Sequence, residues 1–561
     1  MEALERVLSR PAAKPYRSRK VLDEGITLNK DGHLDFSPND IENPKNWSVA
    51  RRWYITVVAI SLVVNSTFAS SSPSGCVESI ASSFGVSQVA SNLVTTLFLL
   101  GYCFGPLLWG PLCELYGRRY VFYGTFICYI AFNFLCAFTK TFAGLLVGRF
   151  LTGTFASAAL SNCPGVLADI WGPIERGNAM VVFSMMTFAG PALGPVVSGF
   201  LQVTKDWRWT FYVLLWMGAG TLALMLTIPE TFGPVVLTNK ARRIRRAKVP
   251  GFENVRSPAE ASEQTPKDVF RITLTRPWII LFDPISFLIA IYLSIVYALL
   301  YMLFTIYPIV FQQMRGWNAG VGALPLIGTI CGAFLAGVIV FYESTLGKKK
   351  MLAGIERTPE DRMPLAMIGG ILFPICMFWF GWSGNFNAVP WIVPTLAGAF
   401  LSTSIVLIFV SYLNYLTDTY LMYAASASAA NTICRSVFGA VAPLFTAQMF
   451  HALGVGPAAS LIGGVGCLLA PIPFLFYKYG KGIREKSKFA ETDHGRPTAM
   501  QENANDGSSR SEEADMDEEA EVVDKDLEKA ISNNSHQASP ARAAAGDPYL
   551  DADGLEKAER H

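Results

Sequence analysis

Charge is what this sequence has least of for its length. Only 16% of its 561 residues are Asp, Glu, Lys or Arg, where a soluble chain carries about 25%. That shortage argues against a string of soluble domains, the ordinary reading of such a length. Neither sign is in excess: 46 basic and 44 acidic residues leave a net charge of +2, too little to recruit nucleic acid through its phosphates. Histidine is scarce as well. The five are His33, His451, His494, His536 and His561, and no two share an apolar run, which removes histidine-box oxygenation and makes metal catalysis a poor fit. No metal and no cofactor are expected. The ten cysteines show no CxxC or Cys/His spacing and lie almost entirely in apolar stretches, as at Cys103, Cys128, Cys163, Cys331 and Cys434. They read as buried thiols and not as a disulfide framework. The first fifty or so residues hold no signal-peptide core, so insertion falls to the first apolar run.

Hydrophobic length is what the chain does have, with 51% apolar and 12% aromatic residues. Twelve runs, each near the roughly 20 residues a bilayer crossing needs, fall into two sets of six. The first set lies near 53–72, 91–112, 120–139, 143–166, 179–202 and 208–228, the second near 281–306, 320–342, 363–382, 390–413, 422–446 and 458–477. The expected fold is an all-α polytopic membrane protein of twelve transmembrane helices in two six-helix halves. An arm at 1–52 precedes a first bundle at 53–229. A linker at 230–280 leads to a second bundle at 281–478 and an acidic, aromatic-poor tail at 479–561 that cannot build a core and is expected to be disordered. The basic run KARRIRRAK (Lys240–Lys248) in the linker reads as a topological signal that also meets anionic headgroups, not as a nucleic-acid site. Even-numbered loops and both termini hold nearly all of the lysine and arginine, including Arg118, Arg119, Arg176 and Lys348 to Lys350. Odd loops hold few, among them Lys140, Lys205 and Arg315. The positive-inside rule therefore puts both termini in the cytosol.

Four places carry candidate chemistry. In the fifth run, MVVFSMMTFAGPALGPVVSG packs Gly190, Pro191, Gly194, Pro195 and Gly199 into one apolar segment. Breakers at that density survive where neighbouring helices approach closely, and Gly190 with Gly194 forms a small-xxx-small pair. This is either plain helix packing or a bent helix at a moving seam. After the second run, Gly110, Glu114, Gly117, Arg118 and Arg119 place a carboxylate, a turn glycine and two arginines at a helix end, a charge cluster able to pair with neighbouring helices. A weaker echo follows the eighth run at Glu343, Gly347, Lys348 and Lys349. Arg149 stands inside the fourth run, where an arginine is costly and must face a partner or a cavity, or else snorkel to the interface. Arg435 stands nearer mid-depth in the eleventh, positioned to meet an anionic substrate group or a buried carboxylate. Around it Asn431, and in the seventh run Tyr297, Tyr301 and Phe304, suit a cavity for bulky amphipathic molecules. Asn65 in the first run is a further cavity candidate. Asp169, Asp283 and Glu78 are the carboxylates left to titrate.

GPALGPVVSG resembles the antiporter motif in the fifth span of the twelve-span drug:proton antiporters of the major facilitator superfamily. The Gly110–Arg119 loop is similar to the superfamily's loop 2–3 signature, a conformational latch, with Glu114 where aspartate is usual. Arg149 to Gly153 resembles the span-4 pattern whose arginine is tied to proton coupling, with Thr152 in place of the usual glutamine. Glu42-Asn-Pro-Lys-Asn-Trp47, Asp206-Trp-Arg-Trp209, Ile228-Pro-Glu-Thr231 and Tyr423-Ala-Ala-Ser-Ala-Ser look like the fungal subgroup. The resemblance implies a proton-coupled exporter of drugs, toxins or secondary metabolites that works by alternating access as a monomer in the plasma membrane. Arg149 and Asp169 would couple protons; small molecules, protons and lipid would be its partners, and it would not be an enzyme. An uptake symporter or facilitator of the same fold (for a polyamine, organic acid or other small solute), a transporter-like sensor and an internal membrane remain as alternatives.

Overall fold

The computed structural model describes residues 26–490, apart from 31, 173–174, 248, 250, 262–265, 354–357, 486 and 488. The acidic tail beyond 490, and with it the expectation of disorder there, lies outside the described residues. Twelve long helices form the body. The first six are α1 (Val49–Ser71), α2 (Gln88–Tyr116), α3 (Arg118–Phe138), α4 (Phe142–Ile170), α5 (Arg176–Thr204) and α6 (Arg208–Met225). The second six are α7 (Pro284–Tyr307), α8 (Leu326–Leu352), α9 (Met363–Asn385), α10 (Ile392–Tyr420), α11 (Ala424–Leu453) and α12, which runs Val455–Leu469 and resumes at Ile472–Arg484 after Pro471. Eleven helical stretches among the described residues are long and apolar enough to cross a membrane; α6, at 18 residues, completes the set. All the sequence-predicted runs are present, and several reach one or two turns further. α7, for example, continues through a π-helical turn at Pro308–Met314.

Local signals set the starts. Ser48, Ser87 and Thr141 cap α1, α2 and α4, their hydroxyls accepting from the backbone N–H of Arg51, Ala90 and Gly144, which occupies donors that the first turn leaves unpaired. Small residues then let the helices of each half touch backbone to backbone. A Cβ on Gly153 in α4 would lie 2.1 Å from the Phe98 carbonyl of α2, and one on Gly332 in α8 would lie 1.9 Å from the Ala399 carbonyl of α10. The same close contact thus recurs at corresponding helix pairs of the two halves, as an internal duplication predicts.

The halves meet along two seams. At α2 and α11, Thr96 donates to the Ala440 carbonyl at 2.7 Å and Asn92 to that of Pro443 at 3.1 Å. At α5 and α8, Gly337 packs under Met185 and Gly177 under Ser344, while Gly199 abuts Ala319 in the short helix Ala319–Ala323.

The arm and linker, set apart in sequence only as segments outside the two bundles, pack against each other. A two-residue hairpin, β1 (Thr27–Leu28) with β2 (Leu34–Asp35), lies against the amphipathic helix Gly233–Arg246, and Leu34, Leu237, Ala241 and Ile244 form a small core of their own. Lys240 pairs with Asp40 at 2.5 Å, Arg243 with Glu42 at 2.6 Å, and Arg245 with Glu260 at 2.7 Å. Much of the basic run therefore holds this module together instead of standing free for lipid. The Asn43–Trp47 segment ties the arm down: the Asn46 amide donates to the carbonyls of Pro38 and Asp40, and the Trp47 indole to that of Ile41.

Candidate functional site

At one end of the bundle, the turn between α2 and α3 builds a charge cluster. Arg118 donates to Asp169 at the end of α4 (3.2 Å) and to Asn162 one helical face back (3.3 Å). Glu230, just past α6, accepts the backbone N–H groups of Arg118 at 2.9 Å and Arg119 at 3.1 Å, a carboxylate cap on the N-terminus of α3. Gly117 has φ +90°, and a Cβ there would lie 2.4 Å from the Glu230 carboxylate. Only glycine serves at that position. Glu114 is exposed and makes no ion pair among the described residues, so the carboxylates of the cluster are Asp169 and Glu230, not the one nearest in sequence. Gly110 has open space around it. The second half repeats the arrangement with other residues. Arg362 at the start of α9 pairs with Asp418 near the end of α10 at 2.9 Å and with Glu343 of α8 at 3.9 Å, and Arg484 of α12 pairs with Glu360.

The α5 glycines face α1. A Cβ on Gly190 would lie 2.1 Å from the Thr67 hydroxyl, and one on Gly194 would lie 2.9 Å from both the Phe68 carbonyl and the Ser72 nitrogen. Pro195 has no N–H to give the carbonyl four residues back, that of Pro191. Ser71 of α1 supplies the missing donor at 2.6 Å. The helix stays continuous through both prolines because its neighbour completes the bonding.

The centre holds the two arginines singled out by sequence, and they are treated differently. Arg149 is fully buried; its guanidinium donates to the carbonyls of Ala69 (2.8 Å) and Val94 (3.0 Å) and lies 4.2 Å from the Phe98 ring centre. It pins α1, α2 and α4 together and does not snorkel. Asp169 sits 20 residues further along α4, about 30 Å at 1.5 Å per residue, so these two do not form one site. Asn65 is enclosed within the first half, accepting from Tyr129 at 2.7 Å and donating to Thr221 at 3.2 Å. Both ends of its amide are engaged away from the interface of the halves. In the second half Arg435 lies over Tyr297 (5.3 Å) and Phe409 (5.8 Å), with Nε buried and unpartnered; Asn431, one turn earlier and 1% exposed, has neither amide atom bonded.

A chain of hydroxyls links the halves at this level. Ser66 bonds Tyr102 at 2.6 Å, Ser70 bonds Tyr301 at 2.9 Å, and Tyr301 meets Tyr297 at 3.4 Å. Phe304 packs edge-on against Tyr301, 5.6 Å between ring centres, and on its other side lines a cavity of about 280 Å³ at the end opposite the charge cluster. Glu78, Asn92, Gln202, Gln312, Gln448 and His451 supply much of the polar wall. Isolated glutamines at helix ends give no periodic signal in the sequence, so these amides were not legible there.

Residues 57–443 match the model of the Major Facilitator Superfamily. The chain belongs to the major facilitator superfamily. It is 40% identical over 464 residues to the efflux pump FUB11 of Gibberella moniliformis, covering 82% of this chain and 77% of that one. It is 39% identical over 477 residues to the MFS-type efflux pump MFS2 of Trichophyton rubrum, covering 84% and 80%. It is 38% identical over 461 residues to the citrinin biosynthesis cluster MFS transporter mrr1 of Monascus ruber, covering 81% and 91%. Among solved structures it is similar in fold to the xylose transporter XylE from E. coli in a partially occluded inward-open conformation. There the TM-score is 0.53 at 17% identity, over 77% of this chain and 98% of that one.

Seen as a major facilitator chain, the sequence-predicted set divides into four places. Gly117, Arg118, Arg119 and Asp169 gather at one end, and Gly190, Pro191, Gly194, Pro195 and Gly199 line the seams of α5. Tyr297, Tyr301, Asn431 and Arg435 gather at the centre, with Phe304 between centre and cavity. Asn65 and Arg149 stay within the first half.

Proposed function

We propose that this chain is a proton-coupled exporter of small amphipathic molecules, working by alternating access as a monomer in the plasma membrane. One observation carries the reading: the two halves meet at an aromatic and polar centre where Asn431 and Arg435 lack partners, closed from a cavity at one end by Tyr301 and Phe304. Groups left unpaired in a buried interface are costly unless something else is to bond them, and here that something is cargo. The end carrying the Arg118 cluster faces the cytosol and the cavity faces outward, as the distribution of lysine and arginine favours. Rocking the halves requires breaking the Ser70–Tyr301 contact while α5 slides on α1 and α8. Export, not uptake, is favoured by the relatives named as efflux pumps and by the glycine–proline pattern of α5. Arg149 and Asp169 take part in proton coupling at opposite ends of α4, Asp169 exchanging its proton as the Arg118 cluster opens and Arg149 fixing the α1–α2–α4 corner beside the centre. The role is transport, with no bond-making chemistry.

The deciding experiment compares metabolites of cells and medium with and without the chain, before and after a protonophore. Retention of compounds in cells lacking it, abolished as a difference by the protonophore, is the expected result. Greater accumulation inside cells that carry it would overturn export in favour of uptake.

A further inference from the structure

We propose that the central site takes a planar, conjugated organic acid as its anion, the carboxylate on Arg435 and Asn431 and the ring against Tyr297 and Phe409. This rests on the transport reading above and names its cargo class. Arg435 is only partly buried, yet it makes no hydrogen bond and no ion pair among the described residues. The titratable groups that face it are the phenols of Tyr297 and Tyr301 on α7 and Tyr102 on α2, with no carboxylate among them. Cys434, its neighbour on α11, is a free thiol, and α10 presents Phe409. Several acids of the bundle are committed elsewhere. Asp169 pairs with Arg118, and Asp283 accepts from Ser487 and Tyr420. Asp418 and Glu343 pair with Arg362, and Glu360 with Arg484.

A guanidinium within a span that meets neither a counter-charge nor any hydrogen-bond acceptor is an incomplete site. Asn431 completes the donor set: four residues before Arg435, on the same helical face, its amide is buried with both atoms unpartnered. Ser436 adds a buried hydroxyl that is likewise unbonded. A carboxylate matches that set because it accepts two parallel bonds from the guanidinium edge, while the guanidinium faces stay against the rings. A cation would meet Arg435 with nothing to offset the repulsion, and a neutral molecule would leave the buried charge uncompensated. The aromatic walls, Tyr297 and Phe409 at 5.9 Å between ring centres, favour a flat conjugated body over a flexible chain.

The test uses the purified full-length chain in detergent and three probes of one shape: 2-naphthoate, 2-naphthamide and 2-naphthylmethylammonium, measured by equilibrium binding of labelled compound. The expected order is naphthoate at least tenfold tighter than naphthamide, with the ammonium compound not bound. Arg435→Gln loses that tenfold preference at unchanged melting temperature. If that variant does not fold, Asn431→Asp serves, because its carboxylate fills the role of the anion: naphthoate binding falls and the ammonium compound becomes acceptable. Naphthoate bound no better than naphthamide, including no binding of either, overturns the proposal. So does an unchanged preference in the folded variants. The two readings fail separately: preference for the acid without directed flux in vesicles sinks export alone, and directed flux without acid preference sinks the cargo class alone.

Discussion

Each half of the molecule carries one arginine within a helix, Arg149 fully buried and Arg435 partly so, and the two are bonded differently. Arg149 has two carbonyls and a phenylalanine face; Arg435 has two aromatic faces and no acceptor. An arginine within a span is expensive in either case, so the difference lies in what repays the burial. In the first half two backbone carbonyls offset much of it, with Nη1 left unpartnered, which makes Arg149 a clamp on α1, α2 and α4. In the second half no acceptor among the described residues does, and Arg435 stays partly exposed. The surroundings follow suit. The first half is closed by small residues in contact, Gly190 on Thr67 and Gly194 on Ser71, whereas at the corresponding place in the second half Gly439 of α11 lies under the rings of Tyr297 and Tyr301. One half is closed by backbone contact at this level and the other by aromatic rings.

The largest test of that contrast is truncation of each arginine. Arg149→Ala forfeits two charge-assisted bonds at about 1.5–3 kcal/mol each. Part of this is returned because no charge remains buried, for a net loss on the order of 3 kcal/mol. Its melting temperature in detergent should fall by several degrees, with export lost for every cargo. Arg435→Ala forfeits no hydrogen bond and should melt within error of the parent while losing anionic cargo. Equal losses of stability would erase the distinction.

The glycines sharpen it at the next level. Gly194→Ala sets a methyl against two backbone atoms that cannot rotate away, the Phe68 carbonyl and the Ser72 nitrogen. Overpacking of this kind costs roughly 1–3 kcal/mol. Gly439→Ala meets the Tyr297 ring at 2.8 Å, and a ring facing a polar centre can tilt. Thermal melts should therefore separate the two variants, with Gly194→Ala the lower and transport slowed in proportion. If Gly439→Ala is equally damaging, the second half is as tightly closed as the first.

The charge clusters at the end of the bundle give a smaller difference of the same sign. Arg118 and Asp169 are 13% and 16% exposed, against 23% and 34% for Arg362 and Asp418. Loss of a pair weighs more as it becomes drier, so Arg118→Ala should cost roughly 1–2 kcal/mol and Arg362→Ala under about 1 kcal/mol. Flux at fixed protein abundance should fall further in the first. The reverse order would mean that the second cluster governs the switch.

These clusters also mark where the sequence could and could not be read. Twelve runs, the α5 glycines and the buried arginines stood out because each is a local departure: in length, in breaker density or in a charge where none belongs. Pairing is not local. Asp169, Glu230 and Asp418 find their partners 51, 112 and 56 residues away, and Glu114, assigned to the cluster for its nearness, forms no ion pair there among the described residues. Glu230 had one usable sign, its place in Ile228-Pro-Glu-Thr231, a stretch that resembles the fungal subgroup. The arm and linker module was hidden by the same distance, since Leu34 meets Leu237 across two hundred residues of chain. Yet Leu237, Ala241 and Ile244, spaced by four and three, already drew an apolar stripe through the basic run.

That module supplies the smallest expected effect. It lies outside the spans, and Glu260 is its most heavily bonded acid: both carboxylate oxygens accept from Arg245, at 2.7 and 2.9 Å, and one also from Arg242 at 3.1 Å. The Arg245 bonds hold its carboxyl below the ordinary 4.5. A value depressed by folding means a contribution present in full above the unfolded value and lost only as pH falls through the folded one. Acidification from about pH 7 to pH 5 therefore stays above both values and should leave the amides of Gly233–Ala261 equally protected in hydrogen exchange, after correction for intrinsic rate. Glu260→Gln, in contrast, should raise exchange in this segment at both values while flux changes little. The Glu260 pairs hold the linker helix across that range, so a pH response of transport between 5 and 7 is expected to arise elsewhere than in this contact. Protection already lost at pH 5 in the parent would move that response out to the linker and make the module part of the switch.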